Sequence, residues 1–101
     1  MNKIEFRTDK DILYISLDGT IDATNAPEFE EKINEIKNAN QGMHVVLDAD
    51  NLEYISSAGL RVILSAQKKM QKIGSMKVIN VCAEVMDIFE MTGFADILVI
   101  E

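Results

Sequence analysis

Two adjacent hydroxyls and a glycine, in the stretch Tyr54-Ile55-Ser56-Ser57-Ala58-Gly59-Leu60, stand where an apolar strand gives way to a helical pattern. At the start of a helix the first backbone N–H groups have no partner inside the helix, and the aligned peptide dipoles make that end partly positive. A hydroxyl placed there has two uses. It can cap the helix by accepting a hydrogen bond from one of those N–H groups. It can also be esterified by phosphate, whose roughly 1.5 to 2 negative charges the same groups would receive. A third use, as the nucleophile of a hydrolase at a strand-to-helix turn, lacks its companions. No Gly-x-Ser-x-Gly surrounds the serines, and the single histidine, His44, opens a strand whose other end approaches them. A general base must lie within hydrogen-bonding reach of its nucleophile. One His and one Cys provide no metal-ligand spacing. The chain therefore offers no catalytic residue, no metal site and no cofactor site.

The elements around the serines follow from periodicity. Ile4-Glu5-Phe6-Arg7 and Ile12–Leu17 read as a hairpin closed by Asp9-Lys10-Asp11, with Asp18-Gly19 as a turn after the second strand. A helix starts at Asn25-Ala26-Pro27, with Asn25 a preferred cap and Pro27 tolerated in the first turn. Phe29, Ile33 and Ile36 supply its apolar face, Glu28, Glu30 and Glu31 complement the positive end of its dipole, and the segment 38–42 ends it. Met43–Asp48 is short and β-branched, hence a buried strand, and Asp48 to Tyr54 reads as the loop beyond it. The second helix runs from about Ala58 to Ile73, with Ile63, Ala66, Met70 and Ile73 on one face and Gly74 as its stop. Lys77–Cys82 is a further buried strand, Glu84–Met91 a short helix stopped at Gly93, and Ile97–Ile100 a closing strand. The order is β-β-α-β-α-β-α-β, an α/β domain with a mixed, mostly parallel sheet. In such a sheet functional sites form in loops at the carboxyl ends of strands. The serine loop and Asp18-Gly19-Thr20-Ile21-Asp22 are two such loops, so Asp22 is expected at the same end as the serines.

Composition sets the broad class. The 101 residues, 48% of them hydrophobic, suit one domain over residues 1–101, and the polar start Met1–Glu5 lacks the apolar core of a signal peptide. A soluble, cytoplasmic protein is expected. Cys82, alone in an apolar run, reads as a buried reduced thiol. A net charge of −7 disfavours nucleic acid and favours a basic partner surface. The charge is uneven, since no Asp or Glu occurs from Tyr54 to Ala83, where Arg61, Lys68, Lys69, Lys72 and Lys77 lie. Lys68, Lys69 and Lys72 fall near the end of the second helix, where cations complement its dipole.

Taken together, Leu17-Asp18-Gly19-Thr20-Ile21-Asp22, Val45-Val46-Leu47-Asp48, Leu52–Leu60 around the two serines, and Phe89-Glu90-Met91-Thr92-Gly93-Phe94 resemble the STAS domain of bacterial anti-sigma factor antagonists. The resemblance spans nearly the whole chain. It implies helices packed mainly on one face of the sheet and a binding module without catalytic activity. It also implies an anti-sigma factor with serine kinase activity as partner, with a serine phosphatase as a further one, and no contact with nucleic acid or insertion in a membrane. Phosphorylation of one loop serine would break the complex. By register the acceptor falls on Ser57, with Ser56 second, and Asp22, Ser56, Ala58, Gly59, Leu60 and Arg61 form its surroundings. Two positions depart from the family pattern. Ser56 stands where the family has Asp, and Ala58 replaces the second hydroxyl.

Two other readings are distinguishable. STAS-like domains also serve as constitutive subunits of larger complexes such as membrane transport assemblies, with an unmodified serine. A receiver-like domain phosphorylated on Asp48 would need an acidic pair after the first parallel strand and a lysine after a later one, which Asp22 alone and Val81-Cys82-Ala83 do not supply.

Overall fold

The computed structural model describes residues 4–40, 42, 44–73, 75–96 and 98–101. The expectations placed on Met43, Gly74 and Ile97, and on the side chains of Lys72 and Ile73, lie outside the described residues.

Strands β1 (Ile4–Asp9) and β2 (Ile12–Ile21) form the expected antiparallel hairpin, and Lys10 takes the left-handed conformation in its turn at φ 58. Helix α1 (Ala26–Ala39) crosses to β3 (His44–Ile55), which lies parallel to β2, and α2 (Ser57–Ile73) crosses to β4 (Met76–Ile79), parallel to β3. The four strands stand in the order β1-β2-β3-β4. Helix α3 (Ala83–Thr92) ends on Gly93, whose φ of 80 is the left-handed cap that a glycine adopts without a Cβ penalty, and a short 3₁₀ turn (Phe94–Asp96) follows.

Five expectations are corrected. Asp18-Gly19 does not end the second strand, and Asp48 to Tyr54 is not a loop, because β2 and β3 run on together to Ile21 and Ile55. Ser16 pairs with Asp48 but Asp18 with Asn51, and Gly19 pairs with Leu52 but Thr20 with Tyr54, so β3 carries an extra residue at each of two bulges. The bulges turn Ala49, Leu52 and Ile55 inward at a spacing of three, where a regular strand would bury every second residue. Lys77–Cys82 is shortened at its end, since Asn80 takes φ 59 and leaves Val81 and Cys82 beyond β4. Cys82 is half-buried rather than buried, its Sγ 3.6 Å from the Leu52 carbonyl oxygen. The closing strand contracts to a single parallel bridge, Val78 with Ile100, held by the Val78 N–H to the Val99 carbonyl and the Glu101 N–H to the Val78 carbonyl.

One face of the sheet, with Leu13, Ile15, Leu17, Leu47 and Val78, joins Phe29 and Ile33 of α1, Leu60 and Ile63 of α2, and Val85 and Phe89 of α3 in one core. The opposite face carries the row Arg7, Tyr14, Val46 and Lys77, paired across successive strands. There the Arg7 guanidinium sits 4.0 Å above the Tyr14 ring centroid, and Lys77 pairs with Glu101 at 2.6 Å.

Among the described residues one polar side chain is buried, that of Gln67 on α2. Gln67 is 5% exposed, and its Oε1 accepts no hydrogen bond. A buried acceptor without a donor forfeits its hydration with nothing in return. Gln67→Met keeps the volume and removes the acceptor, and should raise the unfolding free energy by about 1 kcal/mol, measured by urea denaturation.

Candidate functional site

The end of the β2–β3 ladder brings the two predicted loops together. Ile21 pairs with Ile55, and the Ser56 N–H donates to the Ile21 carbonyl at 2.8 Å, so the chain leaves both strands at one place. Asp22 follows Ile21 directly, beside Ser56, as the sequence leads one to expect.

The two serines have different environments. Ser56 precedes α2, its carbonyl accepts the Leu60 N–H at 2.9 Å, and its Oγ accepts the Gly59 N–H at 3.3 Å. Those two bonds make Ser56 the N-cap. Ser57, which the sequence left open as a cap, is instead the first residue of the helix, exposed, and its hydroxyl bonds to none of the described residues. Aspartate and serine are both preferred caps. Ser56 therefore performs the capping that an Asp at that position would perform.

Gly59 and Leu60 seat the helix start on the ladder. A Cβ on Gly59 would stand 2.7 Å from Ile21 Cγ2 and 2.8 Å from Ile55 Cγ1, both in side chains buried in the core. Leu60 is fully buried in that core, whereas Ala58 is half-buried and Arg61 exposed. Ser57 and Arg61, four apart on α2, lie on neighbouring turns of the same helix surface.

Asp22 closes the opposite loop. Its Oδ1 accepts the Thr24 hydroxyl, the Thr24 N–H at 2.9 Å and the Asn25 N–H at 3.2 Å. These bonds, the Thr24 hydroxyl first, hold its carboxyl below the usual carboxylate range. A carboxyl lowered on folding contributes stability above its unfolded pKa and loses it as pH falls through the folded one. Asn25 is positioned as the α1 N-cap but its side chain does not cap. It accepts the Asp22 N–H at 2.8 Å and donates to the Thr20 carbonyl at 2.9 Å, bracing the loop.

By running on, β3 contributes neighbours that the sequence does not disclose. Tyr54 is nearly half exposed beside the serines, and Asp18, Asp50, Glu53 and Glu84 line an open acidic cleft with Leu52 and Cys82. The three-residue apolar spacing Ala49, Leu52, Ile55 is the sequence signal for this stretch.

His44 is remote from the serines. It opens β3, roughly 30 Å along the strand from Ile55, with Nδ1 2.9 Å from Ser75 Oγ and Nε2 3.8 Å from an Asp11 oxygen. His44 is therefore out of hydrogen-bonding reach of either serine. Asp48 lies within β3, not at a strand end, and accepts hydrogen bonds from Asn80 Nδ2 and the Asp50 N–H. Among the described residues no group of three or more His, Cys, Asp or Glu could hold a metal, and no helix is long and apolar enough to cross a membrane.

A family model described as the STAS domain matches residues 3–101. The protein BtrV of Bordetella bronchiseptica is 33% identical over 87 residues, 85% of this chain and 74% of that one. An anti-sigma F factor antagonist of Paenibacillus polymyxa is 31% identical over 97 residues, covering 95% of this chain and 83% of that one. Among solved structures, an anti-sigma factor antagonist from Mycobacterium paratuberculosis superposes with a TM-score of 0.87 at 19% identity, over 99% of this chain and 85% of that one.

Gly59→Ala should cost about 1–3 kcal/mol of stability, since its methyl must displace two packed isoleucines. Ser56→Ala, which removes only the cap, should cost about 1 kcal/mol. Thermal unfolding followed by circular dichroism compares the two.

Proposed function

The chain belongs to the STAS domain family, and we propose that it is an anti-sigma factor antagonist whose grip on its partner is switched by phosphate on Ser57. The partner is an anti-sigma factor with serine kinase activity, a serine phosphatase reverses the modification, and the exchange takes place in the cytoplasm. The role is one of binding, without catalysis by this chain. The observation that supports Ser57 over Ser56 is the division of labour between them. Ser56 Oγ is engaged in capping α2, whereas Ser57 is exposed on the first turn. A kinase that took Ser56 would first have to dismantle the cap.

The mechanism follows from charge. An unmodified Ser57 lets a partner close over the start of α2, with Tyr54 and Arg61 exposed beside it and the acidic cleft available to cations. Phosphorylation adds about two negative charges and a strongly hydrated group. Burying that group beneath a partner without paired cations is costly. The isolated domain tolerates it more easily, because the first turn of α2 contains no acidic residue and its N–H groups face the modification. Complex and free domain thus differ in how well they accommodate one charged group, and the switch needs no refolding.

Incubation with ATP and the cognate serine-kinase anti-sigma factor, followed by mass spectrometry, should place phosphate on Ser57. Ser57→Ala should bind that partner whether or not ATP is present, and Ser57→Asp should bind at least about tenfold more weakly, given the cost of a buried unpaired charge. Phosphate on Ser56 would reassign the acceptor. An unmodified protein that still binds would overturn the switch in favour of a constitutive subunit.

A further inference from the structure

Arg61 stands four residues beyond Ser57 on α2 and is exposed, and among the described residues it makes no hydrogen bond or ion pair. Residues four apart on a helix are surface neighbours, with about 5–6 Å between their Cβ atoms. A long helical side chain also points back toward the N-terminus, onto the residue four earlier. No Asp or Glu occurs in α2, so no carboxylate of its own helix competes for the guanidinium. The next exposed cation of the helix, Lys68, starts roughly 16 Å along the axis from Ser57, beyond the reach of a group there. Backbone donors at the helix start are partly used. The Gly59 N–H is bonded to Ser56 Oγ at 3.3 Å and the Leu60 N–H to the Ser56 carbonyl at 2.9 Å. The cap therefore leaves a phosphate on Ser57 fewer N–H groups than an uncapped helix would offer.

We propose that Arg61 is the counter-ion of the phosphate on Ser57, reaching back over the first turn of α2 to hold it in the free domain. This role rests on the proposed use of Ser57 as the acceptor. An anion four residues N-terminal to a cation is the favoured order for such a pair, because it agrees with the direction of the helix dipole. The guanidinium suits the task, since it offers parallel N–H bonds to two phosphate oxygens on a stem long enough to span one turn. The other charged groups at this end of the sheet, Asp22 and Glu53, are acidic and leave the phosphate to Arg61. In the unmodified domain Arg61 is open to a partner. After modification the same cation is occupied, and positions 57 and 61 together pass from one positive charge to about one negative. A single phosphate thus adds an anion to the docking surface and withdraws a cation from it.

Phosphoserine incorporated at position 57 during synthesis separates this role from the choice of acceptor, since no kinase takes part. In a phosphorus NMR titration of the full chain, the second ionisation of that phosphate should fall about 0.3 to 0.5 pH units lower with Arg61 than in Arg61→Gln, because a neighbouring cation favours the dianion. Arg61→Lys keeps the charge without the paired donors and should recover part of the difference. The Arg61 Nε–H resonance should move when the phosphate is present, and circular dichroism checks that each variant is folded. A titration identical in wild type and Arg61→Gln, or an Nε–H resonance indifferent to the phosphate, overturns the clamp and leaves the switch on Ser57 standing. A lowered titration, alongside a cognate kinase that leaves Ser57 unmodified, supports the clamp and overturns the choice of acceptor.

Discussion

The parallel ladder between β2 and β3 is the constraint on which the site depends. It carries Ile21 and Ile55 to the same end of the sheet, and the two side chains form the seat against which Gly59 closes. Because the approach leaves no room for a Cβ, the start of α2 is located by packing as well as by its cap. The bulges in β3 matter for the same reason. Each extra residue rotates the strand so that Ala49, Leu52 and Ile55 stay in the core while Asp50 and Glu53 remain outside. A helix start seated this firmly is a rigid platform, which suits a surface recognised by a partner.

Under the proposed function, two tasks are divided between adjacent hydroxyls. A cap must point its oxygen back at the backbone N–H groups, and an acceptor for phosphate must point outward. One serine cannot do both well. Ser56 as cap and Ser57 as the exposed first residue resolve the conflict, and the departure from Asp at position 56 costs little because both residue types cap. On the other side of the junction, Asp22 draws its three donors from Thr24 and Asn25, so the loop from β2 to α1 is braced from within.

Much of the fold was legible because burial imposes periods on the chain. Phe29, Ile33 and Ile36 recur at helical spacing, and all three are buried. Gly93 stops α3 because a residue with φ 80 is needed there, and the hairpin of β1 and β2 follows from two alternating runs around a short polar turn. The extension of β3 was hidden because bulges replace the period of two with a period of three, which no strand template matches. The last strand is shorter than its residues suggest, for the opposite reason. Its apolar residues are strand-like, but they make one bridge to Val78.

Residue types and spacing by themselves determined the element order as far as α3 and the placing of two hydroxyls and a glycine at a helix start, and the resemblance that those segments carry gave the family. These are properties of short segments, and periodicity, turn chemistry and dipole complementarity operate within such segments. Tertiary structure alone decided which serine caps and which is exposed, because that depends on where the helix begins relative to Ile21 and Ile55. It also decided that Asp18, Asp50, Glu53 and Glu84 share one cleft. Those outcomes rest on strand register and bulges, which arise from contacts between segments distant in the chain.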